Sequence, residues 1–131
     1  MTKKQKYATK KVEEYLYKIC DRLNIKTIPI YVGFKSLSRN TNAESIYYAS
    51  SGKLRILFDK RYITRMPHSQ IRRTACHETC HCISFSIYQD YRDSLMKMNA
   101  EDQEKNLHGE KWQELMKLGG VDYSYYVKDE K

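Results

Sequence analysis

Residues 77–81 read His-Glu-Thr-Cys-His, a spacing of residue types that could build a catalytic metal centre. On an α-helix, positions i and i+4 lie on one face, so His77 and His81 could bind the same ion. Zinc with an open position lowers the pKa of a bound water to about 7. Glu78, beside the ion, could take the proton of that water and pass it to a leaving amine. The alternative is that two histidines lie on a surface helix by chance.

A catalytic zinc site needs three protein ligands, and several downstream residues are candidates for the third. Ser84 and Ile87 stand where a metzincin has glycine and histidine, which excludes that class. His108 is the only histidine after the pair, and neutral imidazole suits zinc well. Gly109, next to it, would let the backbone pass close to the site. The carboxylates that are candidates by position are Glu101, Glu104, Glu110 and Glu114.

The elements that must position these residues begin with an amphipathic helix over residues 4–24, where apolar side chains recur at helical spacing. Residues 27–34 alternate with period two, which predicts a strand that Pro29 confines to an edge or to its own start. Residues 44–59 predict a hairpin whose turn is formed by residues 50–52.

The motif falls in a predicted helix over residues 67–88, which follows a connector over residues 61–66. Residues 89–106 are polar and acidic, so we expect mostly a mobile loop, with apolar side chains for one short helix. The pattern over residues 107–118 predicts a last helix, which ends at the glycine pair 119–120.

The composition, with 40% hydrophobic and 31% charged residues, predicts one soluble globular domain over residues 1–131. No apolar run approaches the roughly 20 residues of a membrane span, and no apolar signal core follows the charged N-terminus. We therefore expect an intracellular monomer without a membrane partner, in the cytoplasm or associated with the nucleoid. In an intracellular protein we expect the cysteines to be reduced thiols. Cys76 and Cys80 are also spaced at i and i+4, so an alternative is that they join a Cys/His metal cluster.

The net charge of +8 is unevenly distributed along the chain. Residues 1–75 hold 17 Lys and Arg against 5 Asp and Glu, whereas residues 76–131 hold 7 against 11. A basic half favours a polyanionic partner such as nucleic acid, and the alternative is a surface that only keeps the protein soluble. The 12 tyrosines favour single-stranded DNA, because exposed tyrosine can stack on unpaired bases.

The sequence resembles the SprT-like zinc metallopeptidases, which include the Spartan-type DNA–protein crosslink proteases. The resemblance covers roughly residues 10–121 and rests on four pieces. These are the apolar strand that ends near Asp59, the run from Ile71 to Cys76 that leads into the motif at 77–81, His108-Gly109-x-x-Trp112, and Met116-x-x-Gly119. The histidine-glycine-aromatic pattern makes this resemblance much more specific than the pentapeptide alone.

The resemblance implies His77, His81 and His108 as ligands of Zn²⁺ and Glu78 as the catalytic acid and base. It also implies a minimal zincin-like α+β fold: an N-terminal helix, a small three-stranded sheet, an active-site helix that carries the motif, and a C-terminal ligand helix. Many relatives carry a C-terminal zinc ribbon or DNA-binding modules, and we expect neither within residues 1–131, because the residues after the last predicted helix are too few for them. We therefore expect any DNA contact to come from the basic surface of the domain itself.

These observations predict a zinc metalloendopeptidase that cleaves protein substrates on or near DNA. A helper should stabilise the oxyanion, and its candidates are Tyr123, Tyr125, Tyr126 and Arg65. One alternative is a nucleic-acid-binding protein whose zinc is structural and not catalytic. Another is a peptidase with one dedicated protein target, whose positive charge serves only to bind an acidic partner.

Overall fold

The computed structural model describes residues 1–124, which form helices around a three-stranded sheet. The helices are α1 (Lys3–Arg22), α2 (Lys60–Arg65), α3 (His68–Ile87), α4 (Gln89–Lys97), α5 (Ala100–Asn106) and α6 (Glu110–Gly119), and the strands are β1 (Ile30–Lys35), β2 (Ala43–Tyr48) and β3 (Lys53–Asp59). This arrangement confirms the predicted α+β class and is compatible with a minimal zincin-like fold.

The N-terminal helix α1 forms as predicted, one residue earlier than its apolar pattern. Thr2 and Gln5 make a capping box, in which each side chain bonds the backbone amide of the other residue. The helix ends before Asn24, whose φ of 58° lies in the left-handed region that asparagine tolerates. Its buried stripe consists of Ala8, Val12, Tyr15, Ile19 and Cys20. This stripe packs α1 against the sheet at one end and against α3 and α6 at the other.

The sheet has the strand order β1-β3-β2, so the predicted hairpin forms and the Pro29 strand lies at an edge. β1 runs parallel to β3, and β2 runs antiparallel to it. Pro29 precedes the first residue of β1 and needs to donate no ladder hydrogen bond there. Leu54, Ile56 and Phe58 of the central strand are buried and form one side of the core.

The predicted connector over residues 61–66 is wrong, because a short helix, α2, occupies it. Asp59, the last residue of β3, accepts hydrogen bonds from the backbone amides of Arg61 and Tyr62. An aspartate at this position satisfies amides that a first helical turn leaves unpaired. α2 buries Tyr62 and Ile63 against the core under the sheet.

The motif helix α3 passes through the centre of the protein and contacts both parts of the core. Ile71 and Ala75 pack with the residues of the sheet, while Ile83 packs with α1 and α6. All three of these residues are fully buried, and the helix is buried from Thr74 to Ser84. A helix covered on nearly all sides holds the side chains of its motif in fixed positions.

The predicted loop over residues 89–106 is wrong, since α4 and α5 fill most of it. Leu95 is buried, and the side chain of Asn99 caps α5 by accepting from the amide of Asp102. The last helix begins at Glu110, three residues later than its pattern, and ends at Gly119, followed by the cap residue Gly120 with a φ of 76°. Within residues 1–124 no helix is long and apolar enough to cross a membrane.

Candidate metal centre

Three imidazoles meet at the surface of α3. His77 and His81 lie one turn apart on this helix, and His108 comes from the segment just before α6. Their Nε2 atoms form a nearly equilateral triangle, with 3.2 Å between His77 and His81, 3.3 Å between His81 and His108, and 3.2 Å between His108 and His77. All three predicted ligands are therefore brought together, and each presents the same ring nitrogen to one point.

The triangle fits a tetrahedral zinc ion. Nitrogen ligands at about 2.0–2.1 Å from a tetrahedral ion lie about 3.3–3.4 Å from one another. The observed separations of 3.2–3.3 Å match this edge length within 0.2 Å. Among the residues that the structure describes, these three histidines form the one cluster with metal-ligand geometry. Three ligands would occupy three vertices of such an ion and leave the fourth open, which is the arrangement of catalytic zinc sites.

Burial keeps two of these histidines, His77 and His81, in the neutral form that binds metals. The pKa of His77 is lowered to about 3 by burial and by the nearby His108. Burial, with His77 and His108, also holds the pKa of His81 well below its usual range. Neutral imidazole offers a lone pair at Nε2, so the site needs to release few protons on binding an ion.

Trp112, the aromatic residue of the His108-Gly109-x-x-Trp112 pattern, packs against all three histidines. Its indole Nε1–H donates a hydrogen bond of 3.2 Å to the carbonyl oxygen of His77. Its ring centroid lies between 4.7 and 5.6 Å from the centroids of all three imidazoles. Gly109 is also constrained, because a Cβ there would lie 3.2 Å from the carbonyl oxygen of Asn106. The glycine and the tryptophan thus let the chain turn sharply and bring His108 to the other two ligands.

Glu78 lies beside the triangle and not in it. Its Oε2 is 3.9 Å from His77 Nε2, while its Oε1 accepts a hydrogen bond of 2.6 Å from the Ser45 hydroxyl. Burial raises the pKa of Glu78 to about 7, the Ser45 hydrogen bond opposes this rise, and Glu44 adds to it. A carboxylate with this position and affinity for protons is suited to accept a proton from a water at the open vertex.

Ser45 was not predicted, although the sequence carries a signal for it. It pairs with Ile56 in the ladder, so its side chain lies on the inner, apolar face of the sheet. A serine at an inward position of a hairpin strand needs a polar partner. Its partner is Glu78, across 33 positions of sequence.

A cleft of about 280 Å³ opens over the histidines and Glu78. Ala43, Glu44 and Ser45 of β2 form one wall, and Phe85, Glu104 and Leu107 form the other. Glu104, a candidate ligand by position, is exposed and belongs to this wall and not to the cluster.

The predicted oxyanion helpers lie in different places. Tyr123 contacts Trp112, with 6.1 Å between their ring centroids, so it lies near the triangle. Arg65 lines a separate cavity together with Arg39 and Arg61, and the lining of the metal cleft does not include it. Tyr125 and Tyr126 lie outside the described residues.

The cysteines around the motif belong to the core. Cys76 and Cys80 pack with α1 and α6, and Cys82 packs with the sheet residues. Burial raises the pKa of both Cys80 and Cys82, so these thiols stay protonated. The alternative of a mixed Cys/His cluster finds no support among residues 1–124, where the metal-binding group contains histidines alone.

A model of the SprT-like family matches residues 10–127, nearly the whole chain. The match spans the motif helix, the turn that brings in His108 and the helix that follows. Comparison with curated proteins gives no significant match, and neither does comparison with solved structures.

Proposed function

The chain belongs to the SprT-like family, and from this membership and the geometry of the site we propose that it is a zinc-dependent metallopeptidase. The observation that carries the proposal is the combination of two features. Three histidine nitrogens form an open tetrahedral face, and a buried carboxylate lies beside that face without belonging to it. A structural zinc site has four protein ligands and no use for such a carboxylate.

In this proposal each residue of the site has a separate role in peptide hydrolysis. Zn²⁺ held by His77, His81 and His108 would polarise the scissile carbonyl and lower the pKa of the attacking water. Glu78 accepts the proton of that water at Oε2 and delivers it to the nitrogen of the leaving amine. Ser45 holds Oε1 by its hydrogen bond, so the other oxygen stays directed at the reacting atoms.

The strand β2 supplies a binding edge for an extended peptide. It is the outer strand of the sheet, paired with β3 along one edge, and its first three residues line the cleft. A peptide that adds to the other edge would pass over the histidines with its backbone held by hydrogen bonds. The substrate class that fits is therefore an extended or unfolded segment of a protein.

The decisive experiment is the substitution Glu78→Gln in the zinc-loaded full chain. Glutamine keeps the shape of glutamate and can still bond Ser45, but it cannot accept a proton. We expect unchanged zinc content and a loss of cleavage by a factor on the order of 10²–10⁴. Glu104→Gln is the matched control, since it removes a carboxylate of the same cleft and should leave cleavage nearly unchanged. A Glu78→Gln variant that cleaves as fast as the wild type would refute the role of Glu78.

The proposal includes a nucleic-acid partner, supported by the outer face of the sheet. The ladder puts Tyr31 opposite Arg55 and Tyr48 opposite Lys53, all on this face. Tyr31 is 57% exposed and Tyr48 is 39% exposed. Exposed aromatic rings among cations are the features with which proteins bind single-stranded DNA, by stacking on bases and by contacting phosphates.

Binding of a short single-stranded oligonucleotide tests this part of the proposal. Tyr31→Ala should weaken it by about 1–3 kcal/mol, the worth of one stacked base. Tyr17→Ala is the control, because Tyr17 is 66% exposed on α1 and outside this face. Binding should also weaken steeply with salt. A wild type that binds DNA and zinc but cleaves no protein would favour the structural-zinc alternative, whereas negligible DNA binding at low salt would favour a dedicated protein target.

A further inference from the structure

A second, apolar pocket of about 220 Å³ lies directly beside the metal cleft. β2 contributes Ile46 and Tyr47 to its lining, and α4 contributes Leu95 and Met96. Leu95 is only 4% exposed, and Met96, at the rim, is 50% exposed. No step of the proposed hydrolysis uses this pocket, yet its volume and mostly apolar lining suit a side chain of moderate size.

The pocket adjoins the metal cleft. Ser45, Phe85 and Leu107 line both cavities. Each of the three is tied to the centre: Ser45 bonds Glu78, and Leu107 precedes His108 in the chain. The ring of Phe85 is stacked at 6.1 Å from the ring of His81. A side chain in the pocket would therefore belong to a residue adjacent to the bond at the histidines.

Hydrogen bonds between helices hold the outer wall of the pocket in place. The hydroxyl of Tyr91 on α4 donates to the carbonyl oxygens of Asn106 and Leu107, at 3.0 and 3.3 Å. The side-chain amide of Gln103 on α5 donates to the carbonyl oxygen of Leu95 at 2.8 Å. The pocket is thus formed before any ligand arrives, which lowers the entropy lost on binding.

One cation in the wall restricts what the pocket accepts. The guanidinium of Arg92 lies 4.5 Å from the centroid of the Tyr47 ring and donates to the carbonyl oxygen of Phe85 at 3.3 Å. Its carboxylate partner, Asp93, is 57% exposed and faces solvent. The Asp93 carboxylate, 3.1 Å from Arg92 Nε, offsets part of this charge, but water screens it more than the guanidinium, whose side chain is 17% exposed. The wall therefore keeps a partial positive charge, which disfavours a second cation.

We propose that this pocket is a specificity subsite that binds an uncharged apolar side chain of the peptide, next to the bond that is cut. Leucine, isoleucine, methionine and phenylalanine fit it, and lysine and arginine do not. This inference rests on the proposed peptidase function. It adds a substrate preference that the metal-binding histidines themselves do not determine.

Cleavage of a mixed peptide library by the zinc-loaded full chain tests the subsite, with cut sites read by mass spectrometry. One position next to the cut should favour leucine-like residues over lysine and arginine by about tenfold or more. Cleavage without such a preference at either flanking position would overturn the subsite and leave the peptidase proposal intact. Absence of all cleavage would overturn the peptidase proposal instead.

A pair of exposed substitutions assigns the preference to this pocket. Met96→Glu puts a negative charge at the rim, so the preference for leucine should fall by about tenfold and peptides with lysine should gain. Ser94→Glu adds the same charge to α4 at an exposed residue outside the lining and should change nothing. Equal effects of the two variants would mean that the pocket does not choose the side chain.

A binding measurement tests whether the pocket accepts an apolar side chain, independently of peptide cleavage. Titration of the zinc-loaded protein with N-acetyl-leucinamide should give saturable NMR shifts at the amides of Leu95, Met96 and Gln103. N-acetyl-lysinamide should give none at the same concentrations. Equal responses to both compounds, or none to either, would overturn the subsite whatever the result of the cleavage assay.

Discussion

Gly119 lies where α1, α3 and α6 meet, and the junction has no room for a side chain. A Cβ at this position would lie 2.7 Å from the sulfur of Cys76 and 3.5 Å from Cδ1 of Ile19. Favourable contacts between such atoms need about 3.5–4.0 Å. Gly119→Ala must therefore displace the Cys76 thiol by about 1 Å, and this thiol is fully buried. Since α6 begins two residues after His108, the same junction anchors the segment that carries His108.

The expected change in stability follows from two opposing terms. Inserting one methyl group into a packed core destabilises by about 1–3 kcal/mol. Alanine has a helix propensity up to about 1 kcal/mol better than glycine, but Gly119 is the last residue of α6, so this gain is small. We expect Gly119→Ala to lower the free energy of unfolding by about 1–2 kcal/mol. Cys76→Ala removes the clashing sulfur, so the double variant should be more stable than the sum of the single effects by about 0.5–3 kcal/mol.

Urea unfolding followed by circular dichroism, in excess zinc, measures all four proteins of this cycle. Gly52→Ala supplies the control, because Gly52 has nothing within 4 Å of an added Cβ and its φ is 72°. That variant is destabilised by backbone strain alone and should show no coupling to Cys76→Ala. If Gly119→Ala has the same effect with and without the Cys76 thiol, the steric explanation of this glycine is refuted.

Three further predictions concern metal and pH. Replacing His108 with Ala should remove most of the bound zinc, and metal analysis that still finds one ion per chain would reassign the third ligand. Chelation should lower Tm, because an ion that binds only the folded state stabilises it, so an unchanged Tm would contradict a tight site. Backbone amides of Leu37, Tyr62 and Arg61 lower the pKa of Asp59 by hydrogen bonding. Its contribution to stability is therefore present above the unfolded pKa and lost as pH falls through the folded pKa. Unfolding experiments should show Asp59→Asn less stable at neutral pH, with the difference vanishing in acid, and a constant difference would contradict this reasoning.

The parts of the fold that the sequence predicts are those encoded by neighbouring residues. The spacing of His77 and His81 places them on one helical face whatever surrounds the helix. Alternation along β3 and the glycine that ends α6 are local in the same sense. Position alone left the third ligand open between one histidine and several glutamates, and the family resemblance implied His108. The observed approach of His108 to the pair agrees with that choice.

The features that the sequence did not predict depend on contacts between distant segments. α4 and α5 look like a polar loop, because few of their residues are apolar, yet Tyr91 and Gln103 bond carbonyl groups across the gap between the helices. Nothing next to Ser45 in the sequence distinguishes it from the other serines, because its partner Glu78 is close to it only in the folded protein. The apolar pocket likewise takes its lining from β2, α3, α4 and α5, and no single stretch of sequence outlines it.

His81 and His108 are 27 residues apart in sequence, although their ring nitrogens lie 3.3 Å from each other. An ion bound to both would close a loop that contains α4 and α5, in the manner of a crosslink. The entropy of closing such a loop grows only with the logarithm of its length, and doubling the length adds about 0.6 kcal/mol. Insertions between His81 and His108 would therefore leave the affinity for the ion almost unchanged. The same insertions would change the side of the cleft that Glu104 and Leu107 line. The length of this loop can vary nearly independently of ion binding by the histidines at its two ends.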